Sequence, residues 1–511
     1  MSNIKSGISL SLIILAFLFP ARLLGQISLN PESMGLGGGG TAYLTGYEAL
    51  FVNPANLYIR EKSYRLQFSM LQGGAYFDTP LAIRNVPDRF STYTESLQPV
   101  FSVQSNRLIT GPIREQLVNR NYPGNRQIKK FQSLTDFYWF GLKWTGQNRN
   151  YAVALRTRTS SRYELGRGLF DPEPFETEDM LRINQSFNHQ YQTLHELSFG
   201  YAESFTFLNG LMPQLSEFII GIAPKIVVSG ASLDVNYLDR YEYEQGADAW
   251  NRTQEYNQQS TGYFSSSNRD FLQQQNTSDP NLPSASFEDL LRPAGIGFGL
   301  DIGLTYLITF GDDLSTLQRE DSQTEKSLRF SFSITDLGAV HQYKTPLSYQ
   351  NNQVVDQANQ PGQVSDLQFL GAPNEHLFFL NQNSPHPLSS SQLVSDEAFE
   401  SLLPTTVQSG VLFQINRIKL MGDFSYALSS TAFKSSGLRS YLGLELRPLP
   451  FLPLRAGTRL ASNSTGYYSF GTGIDTKYVN LSAAIQLRSR SVGPTTEILG
   501  ASVVGLKIYI P

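Results

Sequence analysis

The residues able to do chemistry in this chain are charges that fall at alternate positions of apolar runs. Asp301, Arg329, Lys419, Asp423, Arg439, Glu445, Arg455, Arg459, Asp475, Arg488 and Lys507 each have an apolar residue on at least one side. Carried on one face of a set of strands, charges of both signs can pair with each other and hold a segment inside a lumen. Alternatively they line a selective path for a polar or anionic solute; the first use is the ordinary one in a barrel with a polar interior. Asp301, Arg329, Asp423, Arg439, Glu445, Arg455, Arg459 and Arg488 are accordingly the lumen-lining candidates. Other chemistries find little. The histidines, His189, His195, His341, His376 and His386, include no H-E-x-x-H pair or other metal spacing. There is no G-x-S-x-G elbow, since Ser469 stands at the wrong offset between Gly466 and Gly471. The expectation is no enzyme, no catalytic residue, no metal and no cofactor; a Ser, His and acid cluster assembled across strands is the enzymatic alternative.

The elements that position these charges are strands. From Val479 the apolar set Val479, Leu481, Ala483, Ile485 and Leu487 alternates with Asn480, Ser482, Ala484, Gln486 and Arg488. The same period separates Leu438, Leu442, Leu444 and Leu446 from Arg439, Tyr441, Glu445 and Arg447. It also separates Leu328, Phe330, Phe332 and Ile334 from Arg329, Ser331, Ser333 and Thr335. Runs of roughly 9 to 14 residues suffice for a tilted strand to cross the hydrocarbon layer. About fourteen such runs begin near residues 63, 134, 149, 192, 215, 295, 326, 405, 417, 437, 454, 466, 478 and 498, an even number as single-chain bacterial barrels require. The fold class expected is all-β, an antiparallel transmembrane barrel. Connections at about 71–133, 161–191, 231–294 and 337–404 are long, while those at 146–150, 208–214 and 416 are tight. Long connections sort outside and tight turns inside, which puts both termini in the periplasm.

Composition agrees. Charged residues are 16% and aromatic residues 12%, a balance suited to strands with one face in lipid and aromatic girdles at its borders. Residues 1–25 form the expected cleaved signal peptide: Lys5, an apolar stretch from Ile8 to Phe19, then small residues before Gln26. No cysteine is present, which excludes a lipid anchor, a disulfide framework and a thiolate metal site. The net charge of -4 gives no reason to expect a nucleic-acid partner. The expected division is a leader at 1–25, an N-terminal hatch at 26–62 and a barrel at 63–511.

The hatch segment holds Met34-Gly35-Leu36-Gly37-Gly38-Gly39-Gly40, then Asn53-Pro54-Ala55-Asn56. Glycines allow tight backbone packing and the Asn-Pro step breaks regular structure, so a compact plug is expected. Gly35, Gly37 and Gly40 match G-x-G-x-x-G by spacing, but no βαβ unit surrounds them and the match is accidental. Met-Gly-x-Gly-Gly leading to Asn-Pro-Ala before a first strand resembles the FadL type of outer-membrane transporter for hydrophobic compounds. It equally resembles the PorV-like barrels of type IX secretion. Ile296 to Gly303 with Phe332 to Gly338 is similar to an uncharacterised branch of that superfamily. The resemblance implies a fourteen-stranded barrel with an N-terminal hatch, and Gly35, Gly37, Asn53, Pro54 and Ala55 as ligand or hatch residues. Two departures stand out: Asn56 occupies the place where such proteins commonly have glycine, and the chain ends Ile508-Tyr509-Ile510-Pro511, without a terminal aromatic.

The functional expectation is passive uptake of hydrophobic or amphipathic compounds at a Gram-negative outer membrane, reached through the general secretory route. Its partners are membrane lipid and a hydrophobic small molecule. The alternative is a PorV-like barrel that does not transport and serves a secretion-system or surface protein as partner or scaffold. In the outer connections, Leu367-Gln368-Phe369-Leu370 and Leu377-Phe378-Phe379-Leu380 interrupt polar tracts, and a lid over the mouth is expected of them ahead of a docking surface.

Overall fold

Alternation makes each strand two-faced, and in the computed structural model of the chain the strands close into a 14-stranded antiparallel barrel. The structure describes residues 29–77 and 115–510, except positions 61 and 63 and short stretches, the longest at 206–214, 275–285, 311–325, 359–367, 380–386, 461–466 and 490–495. The expected leader, its cleavage point and residues 78–114 lie outside these. The barrel strands are β1 (Leu66–Phe77), β2 (Ile128–Thr145), β3 (Arg149–Gly166), β4 (Phe187–Phe205), β5 (Leu215–Glu244), β6 (Gly295–Thr309) and β7 (Lys326–Gln342). They continue with β8 (Thr406–Ile415), β9 (Ile418–Ala427), β10 (Gly437–Leu449), β11 (Leu452–Leu460), β12 (Tyr467–Asp475), β13 (Val479–Ser489) and β14 (Thr496–Val503, resumed at Leu506–Ile510). Each pairs with its sequence neighbour, and β14 returns to β1 with Leu66 opposite Ile510 and Gly73 opposite Val503. No edge is left to present unpaired backbone groups to lipid.

Polarity is inverted relative to a soluble protein. On β9, Ile418 and Leu420 are 48% and 54% exposed whereas Lys419 between them is 7% exposed. Ile222, Phe330, Phe332, Leu442, Leu444, Phe470 and Ile485 continue the outward apolar belt around the ring. Inner turns are tight: Ile415 pairs with Ile418, and the left-handed φ of Asn416 closes that two-residue hairpin.

Several strands outrun their sequence-based limits. β2, β3 and β4 reach 18, 18 and 19 residues and β5 reaches 30, against about 9 to 11 needed for a crossing. Hence β2 begins at Ile128 instead of near 134, β4 at Phe187 instead of near 192, and much of the connection expected at 231–294 is strand. β5 runs to Glu244 and turns back as the strand Trp250–Thr261. Beyond the lipid a strand needs no apolar outer face, so the alternation that locates crossings does not locate strand ends.

These extensions carry a lobe. The pairing of β4 with β5 slips between Gln192 and Leu194, and such a bulge exchanges the faces of the strand beyond it. Below it Lys225 points into the lumen; above it Leu233, Val235 and Tyr237 point outward. They form one buried cluster with Tyr163, Phe187, Phe264 and Phe271, the last two on the helix Tyr263–Gln274. Leu377 is buried in the same cluster, on the outer face of the wall and not across the mouth. The expected lid is thus corrected for this residue, because a covered sheet face sequesters more of its apolar area than an aqueous opening would. Leu367, Leu370 and Leu380 lie outside the described residues.

An arginine at Ile222, half-way along the crossing of β5, is expected to cost about 2–4 kcal/mol in a lipid-vesicle urea titration. Asn236→Arg, on the part of β5 beyond the membrane, should leave the midpoint unchanged. Equal effects at both sites would refute this placement of the bilayer.

Candidate functional site

Residues 29–59 fold inside the barrel. Asn30 caps the short helix Pro31–Gly35, its side chain accepting from the N–H groups of Glu32 (2.9 Å) and Ser33 (3.3 Å). Two 3-10 turns follow, Tyr47–Phe51 and Pro54–Tyr58, the second capped by Asn53. Without a strand of its own, this segment must satisfy its polar groups through side chains.

Asn53 and Asn56 do most of this. Asn53 Nδ2 donates to Thr41 O (3.1 Å) and Thr305 Oγ1 (3.0 Å), and Asn53 Oδ1 accepts from Ala55 N (3.2 Å). Asn56 Nδ2 donates to Thr41 O (2.8 Å) and Leu44 O (3.0 Å), while its Oδ1 accepts from Thr305 Oγ1 (2.7 Å). Asn56 is therefore a second staple between segment and wall. Pro54 and Ala55 rest on Gly221 and Gly303, which face each other on β5 and β6. A Cβ on Gly221 would come within 2.2 Å of Ala55 N, and one on Gly303 within 1.9 Å of Asn53 Oδ1. Gly35 lies against Gly471, and Gly37, at φ +91°, packs on the backbone of Thr458.

Charges complete the seat. Lys507 Nζ lies 3.0 Å from Glu32 and 2.5 Å from Glu48. Glu445 pairs with Arg455 at 2.7 Å and accepts from the Tyr43 hydroxyl. Asp423 Oδ2 accepts from Thr41 N (2.9 Å) and from Gly40 N. On the opposite arc, from β2 to β5, Lys143 donates to the Thr45 and Ile59 carbonyls and Asn150 to those of Leu57 and Tyr58, and between these polar contacts the wall carries a patch of alanines. Tyr47, Leu50, Phe51 and Leu57 pack there on Ala152, Ala154, Ala202 and Ala223.

Above the segment a second element enters the lumen. The connection from β9 to β10, residues 428–436, reaches the wall half a ring away. Ala432 O accepts from Ser160 Oγ (2.7 Å) and Gln132 Nε2 (2.9 Å), and Phe433 O from Gln132 Nε2 (3.1 Å). The Arg158 guanidinium sits 4.8 Å over the Phe433 ring, and Lys434 Nζ donates to Pro404 O at 3.0 Å. This strap rests on a chain of buried ion pairs: Arg156 with Glu196 (Nε–Oε2 2.8 Å), Arg158 with Asp336 (2.8 Å), and Lys225 with Asp301 (2.9 Å) and Asp336 (2.5 Å). Asp336 holds a left-handed φ of 60° in a bulge where β7 slips against β6 between Ile334 and Leu337. Between strap and segment lies a cavity of about 50 Å³.

Of the sequence-derived lumen residues, Asp301, Arg329, Asp423, Arg439, Glu445, Arg455 and Arg459 are all buried on the inner face. Arg459 lies 3.9 Å over the Tyr467 ring, and Arg439 donates to Ser435 O. The side chain of Arg488 lies outside the described residues. Sequence reasoning missed Arg156, Arg158, Glu196, Lys225, Asp336 and Lys434. The Arg156-Thr157-Arg158 step carried a usable period-two signal, whereas the bulge hides Asp336 and a connection carries Lys434. The histidines sit apart from the lumen segment: His189 Nε2 lies 2.9 Å from Ser161 Oγ and its ring stacks on Tyr163 at 4.0 Å. Among the described residues no three His, Asp or Glu side chains gather to hold a metal, and His386 lies outside them.

Residues 85–485 match DUF5723, described as a family of unknown function. No curated protein matches the sequence. Among solved structures the chain is similar to a TodX deltaS2S3 mutant described as a monoaromatic hydrocarbon channel, at 11% identity and TM-score 0.43 over 95% of this chain and 99% of that one. It is also similar to the toluene transporter TodX of P. putida (10% identity, TM-score 0.38, 96% and 99% covered). The toluene transporter TbuX of Ralstonia pickettii is a third such likeness (12% identity, TM-score 0.38, 94% and 98% covered).

Asn53→Ala removes one of the two donors to the Thr41 carbonyl and the donor to the Thr305 hydroxyl at a buried site, and should lower unfolding free energy by about 1–3 kcal/mol. Denaturant titration of the refolded barrel measures this, and a change below 0.5 kcal/mol would mean that the asparagine does not anchor the segment.

Proposed function

The chain belongs to DUF5723, a family of unknown function, and we propose that this member is an outer-membrane barrel for gated, passive passage of hydrophobic or amphipathic small compounds. The observation that carries the reading is the apolar arc beneath the N-terminal segment. Barrel interiors are ordinarily polar, yet the wall here presents Ala152, Ala154, Ala202 and Ala223, covered by Leu50, Phe51 and Leu57. When the segment shifts, that arc becomes an apolar track along one side of a tube whose other side is ionic. Such a lining suits a solute with an apolar body.

The attachment of the segment supports gating. It joins the wall through side-chain hydrogen bonds and ion pairs and adds no strand to the ring, so it can move while the sheet stays closed. The Asn53-Pro54-Ala55 motif, similar to that of hydrophobic-compound transporters, lies at its seat on Gly221 and Gly303. Nothing in the mechanism calls for an energy source, and net movement follows the solute gradient. Asn53 and Asn56 hold the closed form, and the strap forms a second barrier in series.

Cells carrying the intact barrel should take up a radiolabelled aromatic hydrocarbon several-fold faster than cells carrying the Ala154→Asp, Ala202→Asp double variant, which places charge on the track. In planar bilayers the Asn53→Ala, Asn56→Ala variant should open more often than the wild type. Equal uptake by both strains and by cells lacking the protein, with silent bilayers for both proteins, would overturn the proposal.

A further inference from the structure

We propose that the lipid-facing wall at the tight-turn end of β2, β3 and β4 binds one phospholipid whose headgroup is a zwitterion of the phosphoethanolamine type. Alternation turns Trp144, Arg149, Tyr151, Tyr201 and Glu203 outward, against the buried, inward Asn150, Ala152 and Ala202. Register gathers the outward set into one patch. Trp144 stands opposite Tyr151 and Tyr151 opposite Tyr201, and Arg149 stands opposite Glu203 two residues nearer the end of the barrel. The rings form a continuous shelf: Trp144 stacks on Tyr151 (centroids 5.3 Å apart, planes at 16°), and Tyr201 meets Tyr151 by its edge (5.5 Å, 61°). Beside the shelf, Arg149 Nε donates to Glu203 Oε1 at 3.2 Å and the Tyr201 hydroxyl donates to Glu203 Oε2.

An ion pair on the outer face of a barrel is tolerated only at the border of the hydrocarbon, where the headgroups lie. The Arg149 side chain is 57% exposed and bonds Glu203 through Nε, so among the described residues its Nη1 and Nη2 groups make no hydrogen bond. Such a guanidinium fork matches a phosphate. The adjoining Glu203 carboxylate matches an ammonium, and the rings match the glycerol esters of the bilayer border. Leu142, Val153 and Phe199 stand opposite one another two residues further along the same faces and meet the acyl chains. Charged, aromatic and aliphatic rows thus follow each other at about 7 Å along the strands, in the order in which a phospholipid presents its parts. The patch is not repeated around the ring: across the barrel, Ile415, Ile418, Leu446 and Leu454 form an aliphatic lateral row at the same end. A headgroup without an amine would set its phosphate charge beside Glu203 unanswered, and the methyl groups of choline bar its nitrogen from donating to the carboxylate. The site rests on the placement of this end of the barrel at a bilayer border and not on whether the barrel conducts.

Native mass spectrometry of the full, detergent-purified chain tests this, by titration with phosphatidylethanolamine, phosphatidylglycerol or phosphatidylcholine of identical acyl chains. Folding is verified by the heat-dependent gel shift of a closed barrel. The first phosphatidylethanolamine should bind at least about fivefold more tightly than either other lipid, the effect of one charge-assisted hydrogen bond. Arg149→Gln should weaken binding of all three lipids, whereas Glu203→Gln should abolish the discrimination against phosphatidylglycerol. Glycerophosphoethanolamine, the same headgroup without acyl chains, should not displace the lipid. Equal binding of the three lipids to the wild type overturns the proposal, and so does unchanged binding by either folded variant. Displacement by the chainless headgroup would mark a site for soluble phosphates and overturns it equally.

Discussion

Backbone hydrogen bonds that cannot be left open in lipid govern this molecule. Once the strands must close on themselves, every residue faces either hydrocarbon or an enclosed lumen, and the two faces are forced into opposite chemistries. The outer face is satisfied by exposing leucine, isoleucine and phenylalanine. The inner face inherits the polar residues, which then need partners within a narrow tube. The N-terminal segment and the strap supply many of these partners, so the filling of the lumen follows from the closing of the sheet.

The filling is uneven, and the unevenness is informative. From β7 to β14 the wall meets the segment through charges and hydrogen-bond acceptors such as Asp423, Glu445, Arg455 and Lys507. From β2 to β5 it meets the segment largely through alanine and glycine, with Lys143 donating to the Thr45 and Ile59 carbonyls and Asn150 to those of Leu57 and Tyr58. The strap crosses at the level where the two halves are bridged by the Arg156, Arg158 and Asp336 cluster.

Much of this architecture was legible in the amino-acid sequence, and the gaps have physical causes. Strict alternation at Val479 to Arg488 and Leu438 to Arg447 exposes the membrane-crossing strands directly, because lipid punishes any lapse on the outer face. Gly35, Gly37, Asn53, Pro54 and Ala55 stood out only through a resemblance; where they pack on Gly471, Thr458, Gly221 and Gly303, side-chain clearance restricts residue type. The ends of β2, β4 and β5 were not legible, since water places no such demand on either face. Bulges at Gln192 to Leu194 and Ile334 to Leu337 shift the period and conceal what lies beyond them. Lys434 was invisible because a short polar connection does not announce that it folds inward. The acidic and basic members of the buried cluster come from β2 to β7, so only the closed ring brings them together.

The pair of contacts from Lys507 to Glu32 and Glu48 joins the last strand to the N-terminal segment. β14 is also the strand that zips onto β1. Biogenesis of the barrel therefore couples two events that other topologies keep separate: the seam can take its final ion pairs only if the segment is already in place. An assembly machine that releases the protein once its seam is sealed would thereby release it with the interior already stoppered, and no leaky intermediate need form.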